Sequence, residues 1–315
     1  MSETTTRLAP SPTGALHLGN ARTFVLNCVL ARQRGWRVLM RMEDLDGPRV
    51  KPEAVAESLD VLAWLGLRWD EPMMYQSDRH PEYEKALAAL AAAGWAYPCV
   101  CTRKDVEQAA SAPHADEAAP AYPGTCRGRF ASAERAEAET GRPASWRVRV
   151  PEEPVEFEDA FAGPQRFDLR REGGDFVVFR KQGLAAYQLA VAVDDADSGV
   201  DAIVRGDDLL DSAARQIHLR RLLGLTPEPT HWHLPLVVGP DGRRLAKRHG
   251  DTRISRYREL GAPPERVLGL IGRWSGAWAE RREATMEELI ARFELTRLPR
   301  GPVTFTGEDD AFLRG

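Results

Sequence analysis

Apolar positions divide the chain into alternating strand-like and helix-like stretches. Thr6-Arg-Leu-Ala9 reads as a short strand entering a Pro/Gly loop. From His17 to Gln33, apolar residues fall at 18, 21, 25, 26, 29 and 30, the spacing of one helical face, and Gly35 follows as a stop. Arg37-Val-Leu-Met-Arg-Met42 alternates as a strand ending on acidic Glu43-Asp44-Leu-Asp46. Pro52 opens a helix to about Leu65, because a first-turn proline gives up no intrahelical hydrogen bond. Strand, helix-length crossover and strand predict a parallel βαβ unit, since parallel neighbours cannot be joined by a tight turn.

A further helix spans about Pro81 to Ala93 and ends at Gly94. Residues 95–130 change character, with cysteines, prolines, glycines and an Ala-rich linker at 109–121. Strands are predicted at Trp146–Val150, Phe176–Phe179 and Tyr187–Val193, then a helix from about Leu209 to Leu223. Leu234-Pro-Leu-Val-Val238 reads as a strand closed by the turn Gly239-Pro-Asp-Gly242. From 253 onward the pattern is helical, with boundaries at Gly261, Pro263 and Pro264. No internal repeat is present. The reading is an α/β chain with a Rossmann-like parallel sheet built from 1–96 and 131–250. Residues 97–130 form an insertion, and 251–315 a helical region.

Composition narrows the class. The chain has 315 residues, 43% hydrophobic and 29% charged, which predicts a globular fold with a sizeable core. No apolar run approaches the roughly 20 residues a membrane helix needs. The start, Met1-Ser-Glu-Thr-Thr-Thr, lacks the basic-then-apolar pattern of a secretory signal. A cytoplasmic monomer without a membrane partner is expected. Cys28, in Phe24-Val-Leu-Asn-Cys-Val-Leu30, reads as core. The net charge of −4 argues mildly against nucleic acid, yet residues 243–300 hold 14 Arg and Lys against 8 Asp and Glu.

Two groups of residues carry candidate chemistry. A strand, a Gly/Pro loop and a helix start present backbone N–H groups and a positive helix end to an anion. Here the loop is Pro10-Ser-Pro-Thr-Gly-Ala-Leu-His-Leu-Gly-Asn20. His17 can donate to a phosphate oxygen as charge builds, and Gly19 lets an adenine or ribose approach the backbone. The second group is Cys99-Val-Cys101 with Tyr122-Pro-Gly-Thr-Cys126. Three thiols in a Gly/Pro-rich insertion suit tetrahedral Zn²⁺, with His114, between them, as the chemically ordinary fourth ligand.

The run Arg7-Leu-Ala-Pro-Ser-Pro-Thr-Gly-Ala-Leu-His-Leu-Gly-Asn-Ala-Arg22 resembles the first signature loop of class I glutamyl-tRNA synthetases. Arg41-Met-Glu-Asp-Leu-Asp46, Trp64-Leu-Gly-Leu-Arg-Trp-Asp70 and Gln76-Ser-Asp-Arg79 follow in the family's order. Arg244-Leu-Ala-Lys-Arg248 resembles the second, Lys-Met-Ser-Lys-Ser loop, departing at Arg244, Ala246 and Arg248 and keeping Lys247. The resemblance covers about residues 6–275. It implies ATP binding by Pro10, Ser11, Pro12, Thr13, Gly14, His17, Gly19 and Asn20 in the first loop. In the second it implies Arg244, Leu245, Ala246, Lys247 and Arg248, with His17 and Lys247 catalytic. Lys247 would reach the phosphates as a point charge, and Mg²⁺ would travel with ATP.

A glutamate substrate has two anions and one cation, so its pocket needs two basic groups and an acid. The family's glutamate-binding positions match Arg7, Ala9, Ser11, Glu43, Tyr187 and Arg205. Glu43 is expected to take the ammonium group and Tyr187 to cap the side chain. Few residues follow the second loop, so no anticodon-binding domain is expected. Short chains of this kind resemble the glutamyl-Q tRNA(Asp) synthetases. That resemblance implies a structural zinc ion on Cys99, Cys101, Tyr122 and Cys126, in an acceptor-end-type subdomain of about 97–190. It also implies tRNA-independent glutamate activation and transfer to queuosine in the anticodon stem-loop of tRNA(Asp). The basic 243–300 stretch is then a candidate RNA surface. The alternatives are a truncated glutamyl-tRNA synthetase charging a tRNA 3′ end and a non-catalytic RNA-binding relative.

Overall fold

The first βαβ unit forms as the pattern predicts. β1 (Thr5–Leu8) and β2 (Arg37–Met42) pair in parallel, with Thr5 opposite Arg37 and Leu8 opposite Met40. The crossover is α1 (Leu18–Arg34), which stops at Gly35 with φ 65°, a left-handed conformation glycine adopts without a Cβ clash. The structure, a computed structural model, describes residues 3–45, 50–109, 121–245 and 250–315.

Along the chain follow α2 (Pro52–Trp64), β3 (Asp70–Tyr75), α3 (His80–Ala92), β4 (Ala96–Cys99), α4 (Arg103–Ala109) and α5 (Ala133–Thr140). Next come β5 (Ser145–Val148), β6 (Val155–Asp159), β7 (Gly163–Phe167), β8 (Phe176–Phe179), α6 (Tyr187–Asp197) and β9 (Ala202–Gly206). The last part holds α7 (Leu210–Leu223), β10 (Thr230–Leu234), β11 (Val237–Val238), α8 (Ile254–Glu259) and α9 (Pro264–Trp274). It closes with α10 (Met286–Arg292), β12 (Val303–Thr304) and α11 (Gly307–Arg314).

The main sheet has the order β3-β2-β1-β9-β10-β6-β7 and is parallel except for the β6–β7 hairpin. From β1 the chain builds outward to β2 and β3, then returns to add β9 and β10 on the other side. The reversal leaves a crevice at the carboxyl ends of β1 and β9, where open α/β sheets bind ligands. A separate antiparallel sheet, β4-β5-β8, carries Cys99, and β11 pairs with β12.

Three features differ from the sequence reading. Tyr187–Val193 is not a strand but the start of α6. Leu189 to Asp195 are all buried, so no polar face marks a 3.6-residue period, and an apolar run of this length fits either element. Leu234–Val238 is not one strand. It breaks at Pro235, which has no N–H for a ladder, into β10, paired with β9, and β11, paired with β12. The region after 253 is helical but also contributes β12.

Cys28 is buried as expected, and burial pushes its thiol up to about 12, so it stays protonated. Several arginines of the basic stretch are already ion-paired: Arg266 with Glu283, Arg281 with Asp309, Arg282 with Glu288 and Arg258 with Asp60. Among the described residues no helix is long and apolar enough to cross a membrane.

Candidate active site

A cavity of about 460 Å³ opens over the carboxyl ends of β1 and β9. Its walls bring together Arg7, Ala9, Pro10, Ser11, Thr13, Gly14, His17, Gly19, Asn20, Glu43, Tyr187, Arg205, Arg244 and Leu245. Residues separated by up to 238 positions thus meet in one crevice. Pro12 does not line the cavity and is buried behind the loop. Ala246, Lys247 and Arg248 of the second loop lie outside the described residues.

The two signature stretches are clasped together. His17, the residue before α1, places Nδ1 3.2 Å from Thr252 Oγ1. Leu18 N–H donates to Thr252 O at 3.1 Å, and Ile254 N–H donates to Leu16 O at 2.9 Å. At the entry to the second loop, Arg244 Nη1 lies 2.9 Å from Asp208 Oδ2, beyond the end of β9. Both ends of that loop are therefore held against the cavity mouth. A Cβ at Gly19 would meet only Val237, at 3.8 Å, so the space over this glycine belongs to the cavity.

The floor is a buried charge array. Asp195 of α6 accepts from Arg7 Nε at 3.2 Å and also from Arg41 Nη1. Arg41 Nη2 donates to Glu43 Oε1 at 3.0 Å. Burial pushes Asp195 up, but Arg41 first and then Arg7 outweigh it and hold the carboxyl at about 2. For Glu43 burial wins and raises the pKa, against the pull of Arg41 and Arg7. Tyr187, the first residue of α6, has its phenol pushed up by burial and by Glu43. Arg205 is buried as well, donating from Nε to His233 Nε2 at 2.9 Å and from Nη1 to Gln216 Oε1 at 2.8 Å. Its Nη2 is buried without a protein partner. The site thus offers two arginines, an acid and a phenol to a small zwitterion carrying an extra carboxylate.

Sequence reasoning missed Arg41, Asp195, Asp208, Thr252 and His233. Asp194-Asp195 gave a signal: two acids at the end of an apolar run must be paired if buried. His231-Trp-His233 gave another, two polar rings alternating on a strand.

The thiols of Cys99, Cys101 and Cys126 lie within 4.8 Å of one another, with Cys101 and Cys126 sulfurs 3.5 Å apart. Tyr122 Oη is 3.3 Å from Cys99 Sγ and 4.0 Å from Cys101 Sγ. A tetrahedral ion with metal–sulfur bonds of about 2.3 Å needs sulfurs about 3.8 Å apart, so the cluster is the right size for a metal ion. Tyr122 is fixed by its neighbours. Its N–H donates to Gly173 O at 2.8 Å, and Arg147 stacks 3.9 Å from its ring centre. Gly174, with φ 68°, has no Cβ to strike Tyr122 O, which would lie 2.5 Å away. His114 lies outside the described residues.

The fold and this crevice define a class I aminoacyl-tRNA synthetase catalytic core. A family model described as "tRNA synthetases class I (E and Q), catalytic domain" matches residues 3–309. The chain is 47% identical over 318 residues to the glutamyl-Q tRNA(Asp) synthetase of Symbiobacterium thermophilum, covering 98% of both. It is 45% identical to that of Rhodopirellula baltica, covering 96% of both. The chain belongs to this family. A crystal structure of a glutamate tRNA ligase from Elizabethkingia meningosepticum, in complex with its amino acid, superposes with TM-score 0.81 at 25% identity. That match spans 99% of this chain and 69% of the ligase.

Proposed function

We propose that this enzyme activates L-glutamate with ATP, without tRNA, and transfers it to the queuosine base of the tRNA(Asp) anticodon. The observation that carries the activation step is the cavity that joins the signature loop to buried Arg7 and Arg205 and half-buried Glu43 and Tyr187. Relatives of near-equal length carry the acceptor assignment.

ATP lies along the first loop, with its phosphates over the start of α1. His17 donates to the phosphates, Arg244 approaches from the other side of the cavity, and Lys247 is the second loop's phosphate-binding cation by its match to the family motif. ATP would bring Mg²⁺, which would supply charge neutralisation for the pyrophosphate. Arg7 and Arg205 take the glutamate carboxylates, Glu43 takes the ammonium group, and Tyr187 covers the side chain. The α-carboxylate oxygen attacks the α-phosphorus, the bond to the bridging oxygen breaks, and pyrophosphate leaves. A hydroxyl of the acceptor then attacks the glutamyl carbonyl and AMP departs. The subdomain of about 97–190 and the basic 243–300 stretch face the RNA, recognising loop shape and phosphates.

Glutamate-dependent ATP–pyrophosphate exchange without tRNA is the test, run with glutamate, glutamine and aspartate in parallel. Exchange with glutamate alone is expected, and its absence at saturating ATP and Mg²⁺ sinks the proposal. For the acceptor, tRNA(Asp) containing queuosine should take up glutamate and a transcript lacking it should not. Equal labelling of both points to 3′-end charging.

Cys99, Cys101, Cys126 and Tyr122 would hold one structural Zn²⁺. Protein purified without added metal should contain about one zinc per chain by elemental analysis. Chelation should lower the melting temperature, and Cys101→Ala should lose the metal. A ratio near zero, with stability unchanged in chelator, rejects the site.

A further inference from the structure

We infer that the buried pair Asp159–His233 is a positioning device for Arg205. It locks His233 as the neutral Nδ1–H tautomer, whose Nε2 accepts from the guanidinium without cancelling its charge. The inference rests on the reading of Arg205 as a glutamate-binding residue.

Three neighbouring strands supply the parts. On β10 His233 stands directly opposite Arg205 of β9, and Asp159 ends β6, the next strand. Asp159 Oδ2 lies 2.6 Å from His233 Nδ1. The carboxylate accepts only, so the ring proton sits on Nδ1. It is in turn fixed by three N–H donors: Phe161 at 2.9 Å, Ala162 at 2.7 Å and His233 itself at 3.2 Å. Together with His233 these hold Asp159 below its usual pKa, despite its burial. His233 Nε2 is then left with a lone pair, and Arg205 Nε donates into it at 2.9 Å. The second partner, Gln216, is oriented by its own amide, which donates to Gln188 Oε1 at 3.0 Å.

The contrast with Arg7 gives this network its meaning. Arg7 and Arg41 share Asp195, and Arg41 also meets Glu43, so carboxylates of the protein itself match their charge. Both direct partners of Arg205 are neutral. A carboxylate in the place of His233 would hold the same geometry but spend the charge that a ligand carboxylate needs. The array keeps one desolvated cation fixed in direction and open in charge. Burial lowers the pKa of His233 and disfavours an imidazolium, which would turn a second donor against Arg205. A neutral glutamine side chain cannot satisfy such a cation, so the device bears on amino-acid choice as well as affinity.

Two measurements test it. Nitrogen NMR of wild-type protein labelled in histidine should show His233 protonated on Nδ1 and bare on Nε2. An Nε2–H tautomer or an imidazolium at neutral pH overturns the inference, whatever the substrate is. In exchange assays His233→Phe should raise the glutamate KM by about 10–100-fold, as when a partner that orients a ligating side chain is lost. The ATP KM should stay within about twofold, a split that general loosening would not give. His233→Gln, whose Oε1 can take the place of Nε2, should recover most of the loss. Asp159→Asn offers a donor to Nδ1, so it should flip the tautomer and raise the glutamate KM selectively, which serves if His233→Phe does not fold. An unchanged glutamate KM in folded His233→Phe or Asp159→Asn, or equal loss in the Phe and Gln variants, rejects the device. If wild type shows no glutamate-dependent exchange, the functional reading falls and the tautomer alone decides the network.

Discussion

Arg205→Ala is expected to reduce kcat/KM for glutamate in pyrophosphate exchange by roughly a thousandfold, while ATP binding to the loop is retained. The argument starts from burial. Arg205 sits 5% exposed at the end of β9 with two neutral partners and a free Nη2. Removing one member of a desolvated charge pair costs about 3–5 kcal/mol, because the other charge stays buried and unmatched. At about 1.4 kcal/mol per tenfold, that is two to nearly four powers of ten. Arg205→Lys should recover little, since an ammonium cannot reproduce the planar fork that meets His233 and Gln216 together. ATP affinity, read by equilibrium dialysis, should change little. A variant with glutamate kcat/KM within tenfold of wild type would remove Arg205 from the amino-acid site.

Asp195→Ala is expected to be the most destabilising single change near the site, by about 3–5 kcal/mol in urea unfolding. Asp195 is fully buried and bonded to Arg7 and Arg41, so its loss leaves two buried cations facing each other. Asp195→Asn should be nearly as damaging, since shape is kept and charge is not. The pH dependence has a defined sign. The folded carboxyl is held at about 2, below the unfolded value of about 3.9. Its stabilisation is therefore present above about pH 4 and is lost as pH falls toward about 2. Wild-type stability should drop through that window, and the Asn variant should show a flatter profile there. Parallel profiles would assign the acid sensitivity to other carboxylates.

Much of the site was legible because its residues lie at ends of elements. Arg7 and Glu43 close strands whose alternation is plain, and the Pro/Gly loop cannot continue either strand or helix. Cys99, Cys101 and Cys126 stand out by type alone, while Tyr122 was chosen over His114 only through the family resemblance. Tyr187 lines the cavity but was placed on a strand, because α6 is buried on every side along most of its length and offers no periodic face. Asp159 and His233 were invisible as a pair. They lie 74 positions apart, and only the β10–β6 neighbourhood, a long-range pairing, brings them together. The excess charge of 243–300 was legible as a sum, but its arginines pair with acids both inside and outside the stretch, which a sum hides.

The short β11–β12 pairing bears on how the protein is made. Val237 lines the crevice, and among the described residues Val237 and Val238 pair in parallel with Val303 and Thr304, while Val238 also bridges Arg244. On a ribosome, that wall of the crevice therefore waits with an open edge until some 65 further residues have been added. The crevice can be finished only after most of the message has been read. An amino acid or nucleotide that binds there would reach a completed pocket late in synthesis, after the β1–α1–β2 unit has had time to settle.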